Sequence, residues 1–281
     1  MKNSQKRTAM VATAVLALVV GGSPAWALNI TVSDKLGNGG SGQGGEFRET
    51  EPGTINSQIW DNEAFVVKGN KLVLVSGFNF KTGVYDSGSR QTFTSGDVFI
   101  DTDNDAAWPA PTLSGGNGYQ TINNLDYRYN YVLDLDFINN TFNVVKLDDG
   151  AASLTSGYFR QNDGGNPFQY VSGGEKKYTK GMVFRTGLSA TDLANDYGLD
   201  PTKVYAANNF AVELDMSWWN TEFPDATTMM THFNLGCGND LMTGKLQGSF
   251  DQVPDGGSTL MLLGLGIGGL VWVRSRLARR S

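Results

Sequence analysis

The 281-residue chain carries 22 Lys and Arg against 28 Asp and Glu, with one His and one Cys. Its two ends hold seven of the basic residues (Lys2, Lys6, Arg7, Arg274, Arg276, Arg279, Arg280) and one acidic residue (Asp255), which leaves residues 28–252 with 15 basic and 27 acidic side chains, a net charge of −12. So acidic a body excludes nucleic acid and anionic lipid as partners and suits divalent cations or neutral sugars; the single Cys excludes an internal disulfide, so stability must come from a core.

Lys2, Lys6 and Arg7 precede an apolar run at 9–20, and Ala25 and Ala27 then stand at the two positions a signal peptidase reads. This predicts a Sec signal peptide over 1–27, cleaved after Ala27. The competing reading is an uncleaved anchor, for which the run is short. Residues 28–252 then form one exported domain, long enough for one sizeable core.

Glycine- and asparagine-rich stretches punctuate that domain: GNGGSGQGG at 37–45, SGGNG at 114–118, NDGGN at 162–166 and SGG at 172–174. Between such stretches lie short runs rich in β-branched and aromatic residues: KLVLVSGFNF at 71–80, DVFID at 97–101, NYVLDLDF at 130–137, TFNVVKL at 141–147, GMVFR at 181–185 and NFAVELDM at 209–216. The pattern is all-β, and a two-sheet β-sandwich, of jelly-roll or carbohydrate-binding-module type, is the simplest packing for it. Asn139-Asn140 predicts a two-residue hairpin turn, because Asn tolerates positive φ. Ser189 followed by ATDLANDY predicts one short helix with a Ser cap, ending near Gly198 and Pro201.

The strongest local chemistry is at 96–105, where Asp101, Asp103 and Asp105 follow an apolar strand at alternate positions. Hard oxygen ligands at that spacing suit Ca²⁺. The loop is not an EF-hand, since its sixth and twelfth positions are Ala106 and Thr112. The competing reading is a polar strand end whose aspartates cap turns. Asp134 with Asp136, and Glu213 with Asp215, are two apart in strands and so share a face, which permits general acid and base roles in glycoside hydrolysis; a solvated strand face explains them equally. His232 and Cys237 are too few for an ordinary zinc site and read either as a thiol and its base or as a buried Cys beside a satisfied His. Trp60, Trp108, Trp218 and Trp219 could stack on sugar rings, although core packing is the common use of such residues.

The C-terminus holds VPDGGST from 253, an apolar run at 260–273 and RSRLARR at 274–280. These three parts in order resemble a PEP-CTERM sorting signal in its VPD form, with Val253, Pro254, Asp255, Gly256 and Gly257 as the motif; Asp255-Gly256 stands where Glu-Pro is usual. The resemblance implies processing by an exosortase-type enzyme, transient anchoring in the inner membrane, and delivery to the cell surface or matrix of an exopolysaccharide-making, Gram-negative-type bacterium. Upstream, THFNLGCGND at 231–240 resembles a segment found before that signal in many such proteins, with His232, Cys237, Gly238, Asn239 and Asp240 at the shared positions and no established role. WDNEAFVV at 60–67, with the runs at 72–80 and 96–101, loosely resembles carbohydrate-binding sandwiches of the family 9 and DOMON kind.

The tail also contains GLGIGG, with Gly264, Gly266 and Gly269 in dinucleotide-loop register. A nucleotide loop must open a helix in a βαβ unit and have an acidic residue about twenty positions on, and too little chain follows. As a membrane segment, residues 258–273 give about 24 Å of helix, with the trailing arginines on the cytoplasmic side. The chain therefore reads as signal peptide 1–27, exported domain 28–252 and sorting segment 253–281: a non-enzymatic surface or matrix protein that takes calcium or polysaccharide, no nucleotide and no nucleic acid. The alternative is a secreted glycan-active enzyme using its paired carboxylates.

Overall fold

The computed structural model describes residues 62–88, 90–107, 118–148, 150–158, 166–199, 201, 208–224, 229–236, 241–246 and 250. Among these run β1 (Asn62–Lys68), β2 (Lys71–Ser76), β3 (Val84–Asp86), β4 (Gln91–Phe93), β5 (Val98–Asp101), β6 (Gly118–Asn123), β7 (Tyr131–Asp136), β8 (Thr141–Lys146), β9 (Ser153–Tyr158), β10 (Gln169–Ser172), β11 (Glu175–Leu188), β12 (Asn209–Asp215), β13 (Met229–Asn234) and β14 (Leu241–Leu246), with two helices, α1 (Ala190–Tyr197) and α2 (Trp219–Glu222).

The all-β expectation holds, but the two facing sheets of a sandwich are replaced by one curled sheet. Nine strands pair in the order β1-β2-β12-β11-β8-β7-β5-β13-β14, with a three-stranded sheet β10-β9-β6 and a ribbon β3-β4 beside them. The continuity comes from β11. Its first half, from Glu175 to Gly181, lies against β8, and its second half, from Met182 onward, lies against β12, so one strand belongs to both sides. Register shifts between Lys176 and Tyr178 and between Arg185 and Leu188 bend it, as bulges do. The edge strands β1 and β14 come into contact, leaving the sheet nearly closed as a barrel.

Side-chain alternation then sorts the apolar residues into layers. Inside the curl, Leu72, Leu74, Ile100, Phe142, Val212 and Phe233 belong to one core. Outside it, α1 covers Val66, Val73 and Ala211 with Leu193 and Tyr197. On the opposite flank the small sheet covers Phe99, Val132 and Val145 with Leu154 and the loop residues Tyr127 and Tyr129. Strands such as β2 and β5 are thus buried on both faces, which explains their continuous apolar runs.

The predicted helix forms as expected. Ser189 accepts from the Asp192 N–H at 3.1 Å while Asp192 accepts from the Ser189 N–H at 2.9 Å, a reciprocal capping box, and Gly198 ends the helix at φ 72°. The hairpin differs from expectation. Asp136 pairs with Thr141, so the connection spans Phe137 to Asn140, and only Asn140 is left-handed, at φ 53°. The Asp136 carboxylate accepts from the N–H groups of Ile138 and Asn139 and rounds the turn, a contribution the Asn pair alone concealed.

The expected signal peptide with Ala25 and Ala27, and the tail from Val253 to Ser281, lie outside the described residues. Among the described residues no helix is long and apolar enough to cross a membrane.

Candidate functional site

The acidic loop leaves the end of β5. Asp101 is buried, and its Oδ1 accepts from the N–H groups of Asp103 (3.0 Å) and Asn104 (2.9 Å) while its Oδ2 accepts from that of Ala106 (3.1 Å). The carboxylate winds the following five residues around itself, with Asn104 left-handed at φ 66°. Asn130, just before β7, locks the loop from the other side: its Oδ1 accepts from the Thr102 N–H and hydroxyl, and its Nδ2 donates to Asp103 at 3.2 Å. Nothing in the residue spacing pointed to Asn130.

Asp103 and Asp105 face solvent, and one oxygen from each of the three aspartates falls within 4.8 Å of the others. Partial desolvation opposes both charges. At Asp103 it is outweighed by hydrogen bonding with Asp101, Asp105 and Asn130, which holds the carboxyl below its usual range. At Asp105 desolvation adds to the hydrogen bond with Asp103 and the repulsion from Asp103 and Asp101, and pushes the carboxyl up. Asp101 thus caps the turn, as one reading of the sequence expects, and the exposed pair Asp103 and Asp105 is left with a mutual repulsion.

The paired strand carboxylates are each engaged. Asp134 accepts from Asn143 Nδ2 at 3.0 Å, and Asp136 caps the hairpin. Glu213 lies under α1, held by Lys71 at 2.5 Å and by the Tyr197 hydroxyl at 2.7 Å. Burial opposes its charge, but these two partners outweigh it and draw the carboxyl below its usual range. Asp215 accepts from the Ser217 N–H at 2.9 Å and from Asn70 Nδ2 at 3.2 Å.

A carboxylate that sequence reasoning passed over is more deeply placed. Asp97 is 4% exposed and bridges two layers, accepting from the Leu135 N–H of β7 and the Tyr170 N–H of β10, each at 2.9 Å. Burial, helped by the nearby Asp134 charge, pushes its carboxyl up to about 7 against the two hydrogen bonds. The only hint in the sequence was an Asp opening an otherwise apolar strand.

The segment from Thr231 to Asp240 divides at the limit of the described residues. Cys237, Gly238, Asn239 and Asp240 lie beyond it. His232 is fully buried on the outer face of β13, where Nε2 donates to the Pro167 carbonyl at 2.9 Å and the ring packs on Phe99 and Tyr129. Burial pushes its pKa down to about 3, so the ring is neutral at physiological pH. It clamps the loop at Asn166–Phe168 over the sheet. Gly236 permits the same closeness: a Cβ there would stand 2.9 Å from Phe168 and from the Tyr119 hydroxyl. The ring is thus held through Nε2, while its buried Nδ1 has no hydrogen-bond partner among the described residues.

The tryptophans correct a further expectation. Trp218 and Trp219 are 1% and 0% exposed, in contact with each other, with Tyr131 and Phe223, and with Phe250, at one end of the interior core. Neither can stack on a sugar as the structure stands; Trp60 and Trp108 lie outside the described residues.

Comparison with known families adds one finding. Residues 252–277 match the VPDSG-CTERM motif. This stretch is a PEP-CTERM-type sorting signal. Val253, Pro254, Asp255 and Gly257 coincide with the letters of that motif, and Gly256 stands at its serine. A PEP-CTERM-type signal supports export and association with the envelope, and processing by an exosortase-type enzyme. No curated protein and no solved structure registers as a match to the chain.

Proposed function

We propose that this protein is a non-enzymatic component of the outer surface or extracellular matrix, exported through Sec, held briefly in the inner membrane by residues 258–273 and released or transferred by an exosortase-type enzyme. The PEP-CTERM-type signal at 252–277 carries this reading. The engaged state of Asp134, Asp136, Glu213 and Asp215 supports a scaffold role for the strand carboxylates. The body's ligand is calcium at Asp101, Asp103 and Asp105 or, on its acidic surface, a neutral polysaccharide.

Two experiments test this. Intact masses of the protein from membrane and matrix fractions are expected to show loss of residues 1–27 everywhere and loss of the C-terminal apolar segment only in the matrix form. A matrix form that keeps Arg274–Arg280 would overturn the processing scheme. For the metal, calcium at 10 mM is expected to raise the melting temperature by ~5 °C, the size of linkage that a millimolar site gives a domain of this length. Changing both Asp103 and Asp105, which face solvent, to Asn should abolish the rise and leave the calcium-free melting temperature within ~2 °C of the parent. An unchanged melting temperature of the parent with calcium would remove the site.

A further inference from the structure

The layer between the curled sheet and the small sheet is short of hydrogen-bond donors. His232 and Asn234 stand two apart on β13, so their side chains leave the same outer face about 7 Å apart. Both are fully buried. The Pro167 carbonyl can only accept, so His232 Nε2 carries the proton and, in the neutral ring, Nδ1 is a bare lone pair. That Nδ1, and both Oδ1 and Nδ2 of Asn234, are buried with no hydrogen-bond partner among the described residues. Gln120 Oε1 is a further buried acceptor without one. It alternates along β6 with Ile122, which packs into this layer from the small sheet. Three acceptors thus face one donor. Phe168 roofs the site: its ring stacks on Tyr119 at 5.5 Å, and a Cβ on Gly96 or Gly236 would stand 2.9 Å from it.

We propose that His232 and Asn234 hold an ordered internal water, which donates one hydrogen to His232 Nδ1 and pairs with the Asn234 amide. Hydrogen bonds of about 2.8 Å let a single water span about 5.6 Å between partners, which side chains at i and i+2 of a strand bring within reach. The tally of groups selects water among small ligands. An anion brings no donor and would face three acceptors. A cation would lie among uncharged groups, because the carboxylate of this layer, Asp97, is committed to the N–H groups of Leu135 and Tyr170. Water supplies two donors, accepts from Nδ2 and carries no charge, and buried polar groups left without protein partners are its usual hosts. Held there, it fastens β13 to the loop above: Nδ1 accepts from the water while Nε2 donates to Pro167, and each bond polarises the ring in favour of the other. The inference goes beyond the sorting and ligand readings and depends on neither.

The test uses the full chain in detergent, labelled with nitrogen-15. Magnetic cross-relaxation between water and the assigned side-chain amide protons of Asn234 is expected to carry the sign of a water that tumbles with the protein. Its absence in the parent would overturn the proposal, with no variant needing to fold. Asn234→Leu then separates a wet site from a dry one by the sign of its effect. Where water pairs with the amide, the substitution strands both the water and His232 Nδ1, and the melting temperature is expected to fall by ~5 °C. In a dry site the same near-isosteric change removes two unpaired polar atoms and raises the melting temperature. A rise, or no shift, would overturn the proposal.

Discussion

Trp219→Ala is expected to cost the body ~3–5 kcal/mol, a large part of the ~5–15 kcal/mol that holds a domain together. The side chain is fully buried, its ring centroid lies 4.3 Å from that of Phe223, and it also packs on Trp218 and Phe250. Truncation opens a cavity at the end of the interior core that three neighbouring rings and a short α2 cannot fill without giving up their own contacts. Urea denaturation followed by far-UV circular dichroism should show the midpoint falling, and Trp219→Phe should recover roughly half of the loss. If Trp219→Ala melted with the parent and instead reduced polysaccharide binding, the aromatic pair would belong on the surface and this packing would be wrong.

The second large effect is a pair of opposed titrations in neighbouring layers. Asp97 has its carboxyl raised from 3.8 to about 7, mainly by burial. It favours the folded state most when protonated, so its contribution is full below about pH 4 and is lost as pH rises towards 7. His232 has its ring lowered from 6.5 to about 3, again by burial. Its contribution has the opposite sign: it is full above about pH 6.5 and is lost as pH falls towards 3. Each amounts to on the order of 4 kcal/mol at its limit, so the two nearly cancel between pH 4 and 6.5 and the parent should show a flat stability profile there. Asp97→Asn leaves one of two buried N–H groups without an acceptor and should cost ~1–3 kcal/mol at every pH. It should also unmask the histidine, giving stability that climbs from pH 4 to 6.5. His232→Gln should unmask the aspartate, giving stability that declines from pH 4 to 7. Chemical denaturation of the three proteins across that range decides the matter, since parallel profiles would mean that neither group titrates as its burial implies.

What could be read ahead of the structure depended on whether a residue's role was local. The α1 capping box is written within four residues, Ser189 to Asp192, and the apolar runs of β2, β5, β7, β8 and β12 are written in their composition. The half EKKYTK of β11 lacks an apolar run, with only Tyr178 packing on the interior core, and its strand state is imposed by β8 alongside it. That half is what joins the two sides into one sheet, so reading only GMVFR at 181–185 led to a sandwich. β13 was hidden for a similar reason: Thr231, His232 and Asn234 are polar yet buried, Thr231 on the interior face beside Phe233, and His232 on the opposite face beneath the Phe168 loop. In the acidic loop the three aspartates were legible, whereas the partition of roles was not, since Asp101 turns inward only because three backbone N–H groups converge on it. Trp218 and Trp219 show the limit plainly. A pair of tryptophans is the same in a core as on a binding face, and the ring of Phe250, more than thirty residues on, is part of what decides between them.

The order of strands in the curled sheet bears on when the protein folds. β2 must lie beside β12, where Lys71 meets Glu213 across 142 residues of chain, and β5 must lie beside β13, where Ile100 faces Thr231. Neither pairing can form from the N-terminal half alone, and each requires a long loop to close before any contact rewards it. Folding should accordingly be slow, on the millisecond-to-second scale of all-β domains with distant pairings, and cannot finish until nearly the whole body has been synthesised. A chain with this topology stays open along its long-range seams while it is being made, and acquires its barrel only once β13 is available to pair.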